Sequence, residues 1–309
     1  MDLLLPGIMP RSEGLVRATR DFERGRIGRP ELEAARRADV LGLRRLQEGL
    51  PHASPGLLAW GDPLRPFAEI VSGCAVGGLA RFFETNTFWR TLELPADAAV
   101  DVSRLDDWVE RYFLADGLFK RDEGLVFTLP FPCVFRDYSR GLGLPRIAEI
   151  ILKAAEPLVK LPNKVLCLFE PGFGYRGYSD ADRRIGADFI GRLKALSETP
   201  VYLVSAFFPL GDDLDYFFGL PADGFGVDLY ADSLDDVLGR LPDGKSLLAG
   251  VLNTGSTLVE SPAMLRGVLA GLRDRLPDDK IHLTPSGPAE LLPRTVLEAK
   301  VTNLREILG

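Results

Sequence analysis

Histidine and cysteine are scarce in this chain of 309 residues, with two histidines, His52 and His282, and three cysteines, Cys74, Cys133 and Cys167. The cysteines lie far apart and form no CxxC pair. That excludes a disulfide framework and fits a reducing, cytoplasmic setting. No H-x-C, HExxH or CxxC pairing occurs. A catalytic zinc with three converging protein ligands is therefore not expected, and a buried cysteine reads as a small apolar residue. Positive charge is also short: 37 Lys and Arg face 44 Asp and Glu, for a net charge of −7. A nucleic-acid or anionic-membrane partner would need a basic face, so neither is expected. No apolar run approaches the ~20 residues of a membrane span. The opening MDLLLPGIMPR is too short and lacks a basic flank for a signal peptide, so it reads as a strand. No GxGxxG follows that strand, and no GxxxxGK[ST] phosphate loop exists.

What is present is a core and regular punctuation. Apolar residues make up 46% of the chain, and 23 prolines and 32 glycines are scattered through it. No linker, repeat or low-complexity run divides it, so residues 1–309 read as one domain. Eight short apolar runs read as strands: Leu3–Ile8, Gly56–Trp60, Gly124–Leu129, Lys164–Phe169, Pro200–Phe207, Gly224–Tyr230, Leu247–Asn253 and Lys280–Thr284. Several are apolar nearly throughout, as strands covered on both faces should be. Amphipathic stretches between them read as helices, at about Pro30–Leu50, Ser103–Leu118, Pro145–Lys160, Asp180–Ser197, Leu210–Phe218, Ser233–Leu241, Pro262–Leu276 and Pro293–Leu308. Ser103 with Asp106 has the look of a capping box. Eight strands each followed by a helix predict an α/β fold of the (β/α)8 TIM-barrel type, with an open doubly wound sheet as the rival. Gly77–Leu94, rich in aromatic and β-branched residues, reads as a hairpin inserted in the barrel.

Active sites of such barrels lie at the C-terminal ends of the strands, which selects the candidates. Arg11, Arg17 and Arg81 suit an anion clamp, or are solvated surface charges. Asp62 could orient an amine or pterin nitrogen, or cap a short helix. Glu170, fixed by Pro171, is the first candidate acid or base, and Asp228 the second; for each the plain alternative is a structural hydrogen bond. Asn253 and Thr254 offer neutral contacts. Ser286 would need an adjacent base to act as a nucleophile, and although His282 lies upstream on the same strand, no GxSxG elbow surrounds it.

Taken in order, several segments resemble the cobalamin-independent methionine synthases. They are Pro6-Gly7-Ile8-Met9-Pro10-Arg11, the helices from Arg17 to Gln47, the hairpin Gly78–Phe88 and Leu129-Pro130-Phe131-Pro132. Phe169-Glu170-Pro171, Ala249–Asn253 and Thr284-Pro285-Ser286-Gly287 complete the series. The resemblance implies a barrel of the methionine synthase/uroporphyrinogen decarboxylase type and methyl transfer from 5-methyltetrahydrofolate, or a related methyl-pterin, to homocysteine. It implies that Arg17 and Arg81 contact folate glutamates, with Arg11, Asn86, Asp62 and Asn253 as further folate or substrate contacts. The family's zinc ligands are missing: Val201–Ala206 replaces the H-x-C strand, Asp228 is the nearest counterpart of the zinc Glu, and Ser286 stands for the late Cys. The Asp that holds the homocysteine amine is Phe169 here. The chain is most similar to the family's zinc-free N-terminal barrel. The implied role is a folate-binding companion of a separate zinc-bearing catalytic subunit, with no zinc of its own. The alternatives are a divergent zinc-independent methyltransferase, and an enzyme like the uroporphyrinogen decarboxylases, which would need a basic mouth the size of a tetrapyrrole.

Overall fold

The computed structural model describes residues 1–59 and 61–308. Ten strands occur among them: β1 (Asp2–Leu3), β2 (Ala75–Arg81), β3 (Phe88–Glu93), β4 (Leu125–Pro130), β5 (Ser139–Arg140), β6 (Lys164–Phe169), β7 (Val201–Val204), β8 (Gly224–Asp228), β9 (Ser246–Leu252) and β10 (Ile281–Pro285). Seven form one sheet in the order β1-β10-β9-β8-β7-β6-β4, and every pairing in it is parallel. The result is an α/β fold with a barrel-like parallel sheet. The main helices are α1 (Glu13–Glu23), α2 (Arg29–Leu46), α3 (Leu144–Val159), α4 (Asp180–Lys194), α5 (Leu214–Gly219), α6 (Leu234–Arg240), α7 (Pro262–Arg273) and α8 (Arg294–Leu308).

Alternation along the strands sorts side chains into two layers. Leu4, Val126, Val165, Cys167, Tyr202 and Leu248 form a small cluster, with Val204 packed on it. Their neighbours Leu3, Leu125, Phe127, Leu166, Leu168 and Leu203 belong to the large core packed beneath the helices. This is the two-residue period of a strand buried on both faces.

The expected second strand is not a strand. Pro55 is followed by Gly56 and Leu57 with φ of 77° and 47°, so the backbone turns where it should extend. Trp60, the end of that expected strand, lies outside the described residues. Ala53 makes a single parallel bridge to Leu125, the Ala53 N–H donates to Gly124, and the Met9 N–H donates to Gly56. This segment thus spans the seam between the two edge strands with few ladder bonds. Gly124 sits in that seam, and a methyl group there would run into the Pro51 carbonyl. We therefore expect Gly124→Ala to cost about 1–3 kcal/mol, read as a fall in the unfolding temperature with the far-ultraviolet spectrum unchanged.

The hairpin is present: β2 pairs antiparallel with β3, and β3 pairs parallel with β5 in a separate sheet of three strands. The third connection is a composite of a short 3-10 turn, one α-helical turn at Leu105–Trp108 and a π-helical stretch at Val109–Phe113. Its cap is Asp101, which accepts from the Ser103 N–H at 3.1 Å; Ser103 itself lies inside the 3-10 turn. Ser103 and Asp106 therefore form no capping box; a one-sided cap by Asp101 stands two residues earlier.

Candidate functional site

The C-terminal strand ends surround a narrow slot. Its walls are Pro6, Gly7 and Ile8 after β1, Thr128 in β4, Cys167 and Phe169 in β6, Val204 in β7 and Pro285, Gly287, Pro288 and Glu290 around the end of β10. The hairpin contributes Trp89, and Pro63 completes the lining. The enclosed space is about 30 Å³, enough for one or two water-sized groups. A tetrapyrrole does not fit it, and the wall is apolar and carboxylate-bearing, with no basic side chain.

Aromatic packing fixes the hairpin over this slot. Phe82 stacks on Trp89 with centroids 3.8 Å apart, and contacts Phe169 and Phe207. The Tyr138 hydroxyl accepts from the Phe83 N–H at 2.9 Å and donates to the Arg81 carbonyl at 3.2 Å. Farther out, Tyr175 stacks on Phe208 at 4.5 Å, and Phe83 packs edge-on against Tyr175. Tyr175 is 44% exposed at the rim, with the Arg176 guanidinium 5.5 Å from its ring centroid.

The residues expected from sequence fall into separate environments. Glu170 is fully buried. One of its oxygens accepts from the Val134 N–H at 2.6 Å; the other accepts from the Gly172 N–H at 2.8 Å and the Tyr178 hydroxyl at 2.5 Å. Burial pushes its carboxyl up to about 8, against the Tyr178 bond and the two backbone donors. A carboxylate with three donors ties three segments together, and it does not line the slot. Asp228 is buried and accepts from the Tyr230 N–H at 2.9 Å, capping the turn after β8; burial raises its carboxyl.

Asp62 is 1% exposed and accepts from the Leu64 and Arg65 N–H groups at 3.1 and 2.7 Å. The Arg65 guanidinium donates to its other oxygen at 3.2 Å, and burial raises its carboxyl against these bonds. Asp62 thus holds the start of the Arg65–Glu69 turn, as the structural reading expects, and it acts on Glu290 through charge without lining the slot. Arg11 is half-buried and also acts on Glu290. Arg17 and Asn86 are exposed, and Arg81 is exposed with its Nε donating to the Thr85 carbonyl at 2.7 Å. Asn253 is half-buried; its side chain accepts from the Gly255 N–H and its backbone N–H donates to Glu260. Of the eight, Asp62 and Arg11 act on Glu290 through charge, and none of the eight lines the slot itself.

His282 and Ser286 are not partners. His282 pairs with Asp2 at 2.5 Å and with Tyr202 at 3.2 Å, at the start of the strands, whereas Ser286 receives the Thr254 N–H at the opposite end.

Two residues escaped the sequence reading. Glu290 is half-buried overall, yet both carboxylate oxygens are shielded from solvent and have no hydrogen-bond partner. The Trp89 indole N–H is likewise buried and unpartnered. It lies close enough to Glu290 to lower its pKa, but outside hydrogen-bonding geometry. Burial dominates and holds the Glu290 carboxyl up at about 8; Asp62 adds to the rise. Glu290 lies four residues beyond Ser286 on the 3-10 turn Ala289–Leu291, and its N–H donates to the Ile8 carbonyl. That crossing to β1 turns the side chain inward, and nothing local in the sequence encodes it.

A zinc ion does not fit the donors present. Val201–Val204 and the two residues after it offer no imidazole or thiolate, Asp228 is engaged by backbone N–H groups, and Ser286 accepts from Thr254. Among the described residues no three His, Cys, Asp or Glu side chains converge. The larger cleft of about 710 Å³ lies to one side, between α2 and Val109–Phe113. Arg29 and Arg36 in it pair with Glu33 and Arg111 pairs with Glu69, and Arg37 lines it as well.

Comparison with known proteins supplies a family context. No family model matches the chain. The 5-methyltetrahydropteroyltriglutamate–homocysteine methyltransferase of Vibrio harveyi is 25% identical over 219 residues, 67% of this chain and 28% of that protein. The enzyme of the same name from Xylella fastidiosa is 34% identical over 137 residues, 40% of this chain and 18% of the relative. The chain thus spans less than a third of the length of the curated relatives it matches. The solved B12-independent methionine synthase from Shewanella sp. W3-18-1, in complex with selenomethionine, superposes with a TM-score of 0.76 at 12% identity, covering 100% of this chain and 98% of that one.

Proposed function

We propose, from the premise that the chain is assigned to the cobalamin-independent methionine synthase family, that it serves methyl transfer from a methylated pterin to homocysteine without a zinc ion of its own. The observation that carries this reading is the mouth itself. It stands where barrel active sites lie, and its wall offers an apolar slot and a carboxylate in place of metal donors. The slot admits only the end of a ligand. The partly exposed aromatic rim at Tyr175 and Phe208 suits a pterin packed above it, and Arg17 and Arg81 suit the acidic glutamyl tail.

Two arrangements meet this reading. In the first, a single (β/α)8 barrel acts as a zinc-free companion, like the family's N-terminal barrel. It holds the methyl-folate for a separate zinc-bearing subunit. The poor fit of zinc to the donors present supports it. In the second, the chain transfers the methyl group unaided, as a zinc-independent methyltransferase; the unpartnered Glu290 supports that. Rates of methionine formation by this chain alone, by a zinc-bearing methionine synthase barrel alone and by the two together separate them. If the chain alone is inert and also leaves the barrel's rate unchanged, the shared reading fails.

The tail contact has its own test. Arg17→Ala combined with Arg81→Ala should weaken 5-methyltetrahydropteroyltriglutamate binding roughly ten-fold, about 1.4 kcal/mol. Binding of the monoglutamate should change little. Titration by tryptophan fluorescence reads both, and an equal loss for the two ligands would remove these arginines from the tail site.

A further inference from the structure

Buried carboxylates almost always have partners, because desolvating one without compensation is costly. Among the described residues Glu290 has none in hydrogen-bonding geometry on either oxygen, and it lines the narrow slot ringed by the ends of the parallel strands. The rest of the slot wall is mostly apolar; its polar groups are the Trp89 N–H, the Cys167 thiol and the Thr128 hydroxyl, which accepts from the Gly7 N–H. The space takes a group about the size of a thiol head.

We propose that Glu290 is the base that takes the proton from the acceptor thiol at the barrel mouth, in place of a metal-bound thiolate. This rests on the second arrangement, in which the chain works unaided. The step balances. The S–H proton passes to a Glu290 oxygen, and the electron pair left on sulfur forms the new S–CH3 bond. The bond between the methyl carbon and the donor nitrogen breaks with its pair on nitrogen, and the Glu290 proton then moves to that nitrogen. A thiol and an N-methyl group become a thioether and an N–H, and Glu290 ends as it began.

The surroundings suit that task. A free thiol has a pKa of ~8.5, and a carboxyl held up at about 8 by burial is closely matched to it. Matching of this kind is what makes proton transfer efficient in both directions. The groups that act on Glu290 are Asp62, which raises its pKa, and Arg11 and the Trp89 N–H, which lower it. Cys167 lines the same slot, but burial pushes its own thiol far up and keeps it protonated.

The test uses the full chain with 5-methyltetrahydropteroyltriglutamate and homocysteine and no partner. Glu290→Gln should lower kcat/KM by about 100-fold or more, and Glu290→Asp, with its carboxylate drawn back, by a smaller factor. The wild-type rate should rise through a step near pH 8, and Glu290→Gln should lack that step. Both variants should unfold at or above the wild-type temperature, which separates a lost base from a lost fold. An active wild type with an equally active Glu290→Gln overturns the proposal alone. Should that variant fail to fold, Glu290→Asp and its pH profile decide, and an unchanged profile overturns the proposal. A wild type inert on its own overturns both this proposal and the second arrangement, leaving the companion role standing.

Discussion

Glu170→Ala should lower stability by about 3–5 kcal/mol, among the largest single effects available in this molecule. The truncation leaves the Val134 and Gly172 N–H groups and the Tyr178 hydroxyl without an acceptor. Each buried donor left unmet costs about 1–3 kcal/mol. Glu170→Gln keeps the volume but turns an amide N–H2 toward one set of donors, so it should fall between wild type and Ala. The same burial sets a pH slope. The folded pKa of Glu170 and of Glu290 is raised from 4.5 to about 8. Between those values the folded state keeps a proton that the unfolded state has released. The contribution of each group is therefore complete below about 4.5 and is lost as the pH rises through about 8. Each can add a slope of up to about 1.4 kcal/mol per pH unit. Unfolding temperatures at pH 6 and pH 8.5 should show the wild type weaker at the higher value, and Glu290→Gln should flatten part of that difference. A wild type equally stable at both values would show that the three donors keep Glu170 ionised and that Glu290 is better solvated than its shielding implies.

How much of this was legible beforehand depended on whether the deciding contact was local. The run Lys164–Phe169 coincides with β6 because a strand covered on both faces is apolar at every position. The hairpin was visible from its β-branched and aromatic content, and Pro30 and Pro145 marked two helix starts. The segment after Pro55 failed because apolar content alone does not show that Gly56 and Leu57 turn into positive φ. The sequence singles out Glu170 as a strand-end carboxylate, and its Gly172 donor is local, but the Val134 and Tyr178 donors lie in other segments and no spacing reveals them. Glu290 was invisible for the same reason, since its inward aim depends on a backbone bond to Ile8 from the far end of the chain. A local clue did exist for Lys300. Leu297, Lys300, Val301 and Leu304 form one helical stripe, so a lysine stood in a core position and needed a buried partner.

That partner is Glu260, and breaking the pair should be as damaging as losing Glu170. Lys300 on α8 is fully buried; its Nζ donates to Glu260 at 2.6 Å and to the Leu258 carbonyl at 2.5 Å. The same Glu260 oxygen accepts the Asn253 N–H at 2.9 Å, and the Asn303 amide donates to the Glu260 carbonyl at 2.8 Å. The ion pair thus anchors the loop after β9, and with it Asn253 at the strand end. Lys300→Met strands a buried carboxylate and should cost about 3–5 kcal/mol. Glu260→Gln keeps an acceptor for both Asn253 and Lys300 but removes the countercharge, and should cost about 2–3 kcal/mol. Lys300→Met with Glu260→Gln should be less damaging than the sum, because the single changes each leave a lone charge that the double change does not. A double-mutant cycle by chemical denaturation measures that coupling. Additive losses would mean that water reaches the pair and that the loop is held by its backbone contacts instead. In that case ligand binding at the mouth should survive Lys300→Met, whereas an anchoring ion pair predicts that binding weakens along with stability.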